Sequence, residues 1–248
     1  KATKDEVVAY QLEQGVATAV RVPTGWRVSA LLRQGMQLEP LADGNTYRLV
    51  RKDGWNVVLR DARGQAYEDP VVVGFFDADH VGVVAHTDIR VLLAVSRFGE
   101  VRVVQTLSDE MSVRLVQGDA AWVTTYTPGE GIESAPLGPS TLTRVTRTGV
   151  STTKAESPGV ISRVVPFLDR ADVFAYGTEQ GTFTAVSGEA SWQGLGVPLV
   201  WVDDQRLLFV QDNALWVRSA ASSTKERLRT MTEIPTTAIV SSTLSGMW

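Results

Sequence analysis

The chain has 248 residues, a formal net charge of -4 and 44% hydrophobic residues. A charge this mild, with Lys and Arg scattered along the chain, argues against a nucleic-acid partner. The absence of cysteine removes disulfides, thiolate catalysis and thiolate metal sites together, and no apolar run of about 18 residues reads as a membrane-spanning helix.

In chain order, the sequence is a succession of hydrophobic strands that meet at tight turns, the mark of a repeat architecture. Val7 to Val22 reads as strand, turn at Gln14-Gly15, strand. Arg27 to Leu32 turns near Gly35, and Tyr47 to Val50 follows an irregular stretch from 33 to 45. Val57 to Tyr67 then folds around Arg63-Gly64. Val72 to Asp77 turns through Ala78-Asp79 into Val81 to His86, and Val91 to Leu107 folds around Phe98-Gly99. Ser112 to Val116 turns at Gln117-Gly118-Asp119 into Ala121 to Tyr126, and Leu142 to Lys154 folds around Thr148-Gly149. Val164 to Asp169 turns through Arg170-Ala171 into Val173 to Gly177, and Phe183 to Trp192 folds around Ser187-Gly188. Leu199 to Asp203 turns through Asp204-Gln205 into Leu207 to Gln211, and Leu215 to Thr230 has a longer Ser-rich turn.

Asp77, Asp169 and Asp203 occupy one position of the repeat. A carboxylate there accepts the backbone N–H two residues on and holds a tight turn. The inner turns, near 34, 77, 117, 169 and 203, are spaced about 34 to 52 residues apart, close to the roughly 40 to 50 residues of a four-stranded propeller blade. The predicted fold is therefore all-β: a six-bladed β-propeller of four-stranded antiparallel blades, one domain over residues 1–248. Five blades are continuous. The sixth is composite, with the hairpin 7–22 pairing the strand 234–240, so that both termini close the ring and leave no open edge.

The segment Pro198 to Val217, with Trp201-Val202-Asp203 before the turn and Leu215-Trp216-Val217 at its end, resembles a blade of the TolB-like and prolyl-oligopeptidase-type propellers. Phe75-Phe76-Asp77 and Phe167-Leu168-Asp169 are similar to weaker copies of it. The likeness covers about three blades and differs in lacking the Ser-Pro-Asp-Gly turn usual in TolB repeats. It implies a propeller and favours a location outside the cytoplasm. The peptidases of that group carry a separate hydrolase domain with a Gly-x-Ser-x-Gly elbow, and no such motif occurs here.

The densest group of ligand-type residues is Asp77, Asp79, His80, His86 and Asp88. A strand run of about six residues, at roughly 3.3 Å each, separates its two ends by about 20 Å. One ion does not bridge that distance, so no metal or other cofactor is expected. No catalytic set is assigned: His80 and His86 are the only histidines, and carboxylates such as Glu130, Glu133, Glu156 and Glu179 read as solvated surface, although glycosidase pairs leave no linear motif. Most of the seven tryptophans sit inside apolar strand patterns and read as packing between blades.

Tyr126 to Thr141 departs most from the repeat. It reads as an insertion between the second and third strands of a blade, on the face that also carries the blade connectors. Long loops on a rigid scaffold are often functional. The candidate binding residues are Tyr126, Glu130, Ile132, Glu133 and Leu137 on this loop, with Trp192 beside the connector Gly194 to Pro198; Glu68-Asp69-Pro70 is a connector on the same face. The expectation is a non-enzymatic module that binds a protein partner outside the cytoplasm. The chain starts at Lys1 rather than Met, and a removed N-terminal leader or envelope anchor is part of that expectation. The rivals are an enzyme or binding protein acting on a glycan or small molecule in the central funnel, and a structural subunit of a surface assembly.

Overall fold

The computed structural model describes residues 8–13, 16–21, 36–51, 54–127, 137–167, 170–179, 181–186, 189–194, 196–203, 205–219 and 225–230, and among these the regular elements are β-strands alone. The chain divides into two compact units, one of Arg33–Val164 and one of Lys1–Leu32 with Val165–Trp248.

The second of these begins with the hairpin of β1 (Val8–Glu13) and β2 (Val16–Arg21), in register from Val8–Arg21 to Glu13–Val16. The predicted partner strand 234–240 lies outside the described residues.

The unit of Arg33–Val164 opens with an antiparallel sheet of β3 (Gln37–Pro40), β4 (Tyr47–Arg51) and β5 (Trp55–Val58). Here the reading of residues 33–45 as irregular is corrected: β3 forms, and a turn at Asp43 joins it to β4. Asp43 Oδ1 accepts the N–H of Asn45 at 3.1 Å and of Thr46 at 2.8 Å, and Oδ2 accepts the Thr46 hydroxyl at 2.7 Å. The predicted strand Arg27 to Leu32 lies outside the described residues. The expected hairpin Val57 to Tyr67 is reduced to a turn closed by one bridge, Arg60 to Ala66. Asp61 holds that turn by accepting the N–H of Arg63 and Gln65, while β5 spends its pairing on β4.

Two four-stranded antiparallel meanders follow. The first is β6 (Glu68–Asp77), β7 (His80–His86), β8 (Arg90–Ser96) and β9 (Val101–Leu107); the second is β10 (Met111–Gln117), β11 (Ala120–Thr127), β12 (Leu137–Thr146) and β13 (Ser151–Ser157). Both match the predicted strands closely, and a four-stranded meander is the unit of a propeller blade. The strands β7 and β8 are buried on both faces. Val81, Val83, Val91 and Leu93 pack with Leu49, Trp55 and Val57 of the three-stranded sheet, while Val84, Leu92 and Ala94 pack with Val116, Ala121, Val123 and Val145 of the next meander. Burial on both sides is why these strands read as unbroken apolar runs. Each fully buried Val or Leu contributes about 1.5–3 kcal/mol.

A short parallel pairing, Val116 to Gly74 and Gln117 to Phe75, fuses the two meanders into one eight-stranded sheet. Glycine is required at the seam. Gly74 and Gly82 are cross-strand partners, and together they form a notch that holds Val116. A Cβ at Gly74, whose φ is +150°, would collide with the Val116 carbonyl oxygen, and one at Gly82 would lie 2.8 Å from a Val116 methyl. The Asp119 N–H donates to Phe76 O at 2.7 Å beside the seam.

The chain closes with two more four-stranded sheets: β14 (Arg163–Phe167), β15 (Arg170–Thr178), β16 (Gly181–Val186) and β17 (Glu189–Gly194), then β18 (Val197–Trp201), β19 (Arg206–Gln211), β20 (Ala214–Ser219) and β21 (Lys225–Thr230). Trp201 is buried with Val165, Val173, Ala175 and Leu207, and its indole N–H donates to Val165 O at 2.9 Å. Asp203 Oδ1 accepts the N–H of Gln205 and Arg206, the turn role its repeat position predicts. Asp169 lies outside the described residues.

Candidate functional site

At one end of the eight-stranded sheet, β11 and β12 extend as a hairpin stem. The register runs through Tyr126–Ser140 to Thr127–Leu137, with an irregularity at Tyr126/Thr127. Tyr126 ties the stem to the connector between the two meanders: its backbone N–H donates to Glu110 O at 3.0 Å, and its phenol O–H donates to Asp109 O at 2.8 Å. Arg90, at the β7–β8 turn, donates to Met111 O at 3.1 Å on the same side.

The other strand of the stem is tied to the connector that follows β13. Ser140 is 2% exposed; its hydroxyl donates to Gly159 O at 2.7 Å and accepts the Ile161 N–H at 3.0 Å. A Cβ at Gly138 would collide with the Pro158 carbonyl. The outer end of the stem and the meander connectors therefore share one end of the sheet.

Of the sequence-predicted residues, Tyr126 stands at the root of this stem. Leu137 is corrected from loop to strand, because the ladder continues outward to pair it with Thr127. Glu68, Asp69 and Pro70 likewise belong to a strand, β6, with Glu68 opposite His86. Glu130, Ile132 and Glu133 lie outside the described residues. Trp192 pairs with Thr184 in β17, within the other compact unit. Gly196 of the adjoining connector accepts the Thr182 hydroxyl at 2.7 Å.

One side chain at this end has no precursor in the sequence reading. Arg114 sits on the irregularity between Val113 and Leu115 of β10. Its Nε–H donates to Thr124 Oγ1 at 2.8 Å, and the fully buried Thr124 hydroxyl donates in turn to Ser112 O at 3.3 Å. Burial pushes the Arg114 guanidinium below its ordinary range, with the Tyr126 phenol acting in the opposite sense. The signal in the sequence is a single arginine inside the apolar run Val113 to Val116, which pattern alone reads as an outward-facing strand position.

The opposite end of the sheet carries a polar network. His80 Nδ1 lies 2.8 Å from Asp77 Oδ1, and its Nε2 lies 3.0 Å from Arg147 Nη1. A guanidinium only donates, so Nε2 accepts and the Nδ1–H donates to Asp77. Asp77 Oδ1 also accepts the Asp79 N–H at 2.8 Å. Burial pushes the Asp77 carboxyl up, but the bonds from His80 and Asp79 outweigh it and hold the group below its usual 3.8. Arg144 reaches Asp119 at 2.6 Å, and Arg97 reaches Asp79 at 3.3 Å. His86 pairs with Arg90 at the far end of β7, so the two histidines stay apart. Among the described residues no three His, Asp or Glu gather as a metal-holding group.

Trp55, Trp122 and Trp201 are buried, as the packing reading predicts, and Trp216 lies under Lys225 Nζ at 4.4 Å. Trp26 and Trp248 lie outside the described residues.

No family model and no curated protein matches the chain. Among solved structures it is similar to a puromycin-hydrolyzing peptidase of Mycobacterium tuberculosis, at 13% identity and a TM-score of 0.45 over 91% of this chain. The match spans 39% of that peptidase's length and bears on neither the chemistry nor the partners of this chain.

Proposed function

We propose that the chain is a six-bladed β-propeller acting as a non-enzymatic protein-binding module outside the cytoplasm. The observation that carries the reading is the β11–β12 stem, tied through Tyr126 to one connector and through Ser140 to the next. A binding segment mounted on such a stem starts from a fixed base, which lowers the entropy cost of engaging a partner. The repeated four-stranded meanders support the propeller, and the hairpin of β1 and β2 is a two-stranded piece of the kind a composite sixth blade requires. The likeness of the Trp201 and Trp216 segment to TolB-like blades supports the location.

The test is affinity capture from the native cell envelope with the intact chain and with a variant whose residues 128–136 are replaced by a short Gly-Ser turn. A partner held by the intact chain and lost by the variant is the expected result. An identical set of proteins on both, or none on either, overturns the reading.

A further inference from the structure

We propose that Arg114 is a carboxylate receptor on the loop-bearing end of the eight-stranded sheet, and that the partner's anchoring group is an acidic side chain or a C-terminal carboxylate. This rests on the protein-binding reading for its partner, though not for its chemistry.

The guanidinium is anchored at one point. Its Nε–H is taken by Thr124 Oγ1 at 2.8 Å. The Thr124 hydroxyl is itself fully buried and aimed by its own bond to Ser112 O. That bond anchors the fork at Nε, and among the described residues the N–H bonds of both Nη atoms meet no acceptor. Among the described residues no carboxylate lies within ion-pair distance of Arg114, and no acceptor other than Thr124 bonds it. By contrast, Arg48, Arg97, Arg144, Arg147 and Arg206 each meet a carboxylate of their own.

Partial burial of a cation carries a desolvation cost, which an anionic ligand offsets. A planar fork held at Nε is the geometry that takes a carboxylate through two parallel N–H···O bonds. One guanidinium supplies one positive charge, which balances a monoanion and not a phosphate dianion. The neighbouring Tyr126 phenol O–H is committed to Asp109 O and does not compete for the ligand.

The experiment is a titration of the intact chain, 15N-labelled at arginine, with acetate, with inorganic phosphate and with chloride, following the side-chain Nε and Nη resonances. Arg114 is assigned by its disappearance in Arg114→Lys. The expected result is a saturable shift of the Arg114 resonances with acetate, weaker with phosphate, and none with chloride. Arg114→Lys keeps the charge but loses the fork, and in it no other arginine takes over the acetate response.

Absence of saturation in the wild type overturns the proposal without reference to whether a variant folds. Tighter saturation by phosphate than by acetate overturns the carboxylate assignment. With a captured partner in hand, Arg114→Gln weakens its affinity by about 10- to 100-fold, and an unchanged affinity overturns the anchoring role. Acetate saturation with no partner captured would retire the protein-binding reading and leave the receptor standing; a captured partner with no acetate saturation would do the reverse.

Discussion

Replacing Ser140 with alanine tests whether the loop stem is held by its connector. The substitution removes one oxygen atom and adds no bulk. The side chain is 2% exposed, and Ile161 beside it is fully buried. Two backbone groups lose their partner at once: Gly159 O, now bonded at 2.7 Å, and the Ile161 N–H, now bonded at 3.0 Å. Each buried polar group left unpaired costs about 1–3 kcal/mol. Ser140→Ala is therefore expected to lose about 2–6 kcal/mol, which is a fall in Tm of about 4–24 °C for a chain of this size. Ser157→Ala is the matched control, since its hydroxyl accepts only the Gly159 N–H, at 3.2 Å, and should cost about half as much. Urea unfolding followed by tryptophan emission reads the change, because Trp55 and Trp122 are buried in the same unit. A loss below about 0.5 kcal/mol for Ser140→Ala, within the range of ordinary surface substitutions, would refute the claim that this hydroxyl joins β12 to the connector.

Two further predictions concern the seam and the turns. Gly74→Ala places a Cβ against the Val116 carbonyl and should destabilise by about 2–4 kcal/mol, whereas Gly99→Ala, with open space around its Cβ position, should cost only its positive-φ strain of about 1–2 kcal/mol; equal losses in urea melts would show that the notch does not discriminate against a methyl group. Asp77 and Asp203 both lie below the usual carboxylate value of 3.8: burial raises each, and hydrogen bonds, from His80 and Asp79 in one and from Arg206 and Gln205 in the other, outweigh it. A depressed folded value means stabilisation that is present above pH 3.8 and lost as pH falls through the folded value. The urea midpoint should accordingly drop below about pH 4, and the double variant Asp77→Asn, Asp203→Asn should flatten that drop; superimposable acid limbs would show that neither carboxylate contributes.

Most of the strand pattern is readable because runs such as Val81 to Ala85 and Val91 to Val95, though without a period of their own, are short, rich in β-branched residues and bounded by turn residues, and because Asp at the end of a strand has a definite bonding role in a turn. The same rule applies at Asp43, but there the preceding strand, Gln37–Pro40, is short, half-exposed and ends in proline, so its pattern is too weak to stand out from a loop. Leu137 reads as loop because Gly138 and Pro139 follow it. The ladder nonetheless continues through them, with Gly138 seated against Pro158, an approach of distant residues that no local pattern contains. The placement of the β11–β12 stem at the connector end follows from the alternation of turns and is legible in the sequence. Arg114 is not, since what distinguishes it is the lack of a counter-charge among the described residues and a buried hydroxyl ten residues along the chain, both of which are facts of packing.

The glycine notch at Gly74 and Gly82 also decides where the molecule can be divided. Repeat proteins are commonly treated as strings of modules that can be cut, shuffled or multiplied at their connectors. Here the connector Ser108 to Glu110 looks like such a boundary, but cutting there would expose an empty groove on one piece and strip Val116 of its seat on the other. The smallest interchangeable piece of this region is the pair of meanders from Glu68 to Ser157, not either one alone. Any lineage that added or removed a single meander at this position would have had to rebuild the two glycines and the valine in the same step.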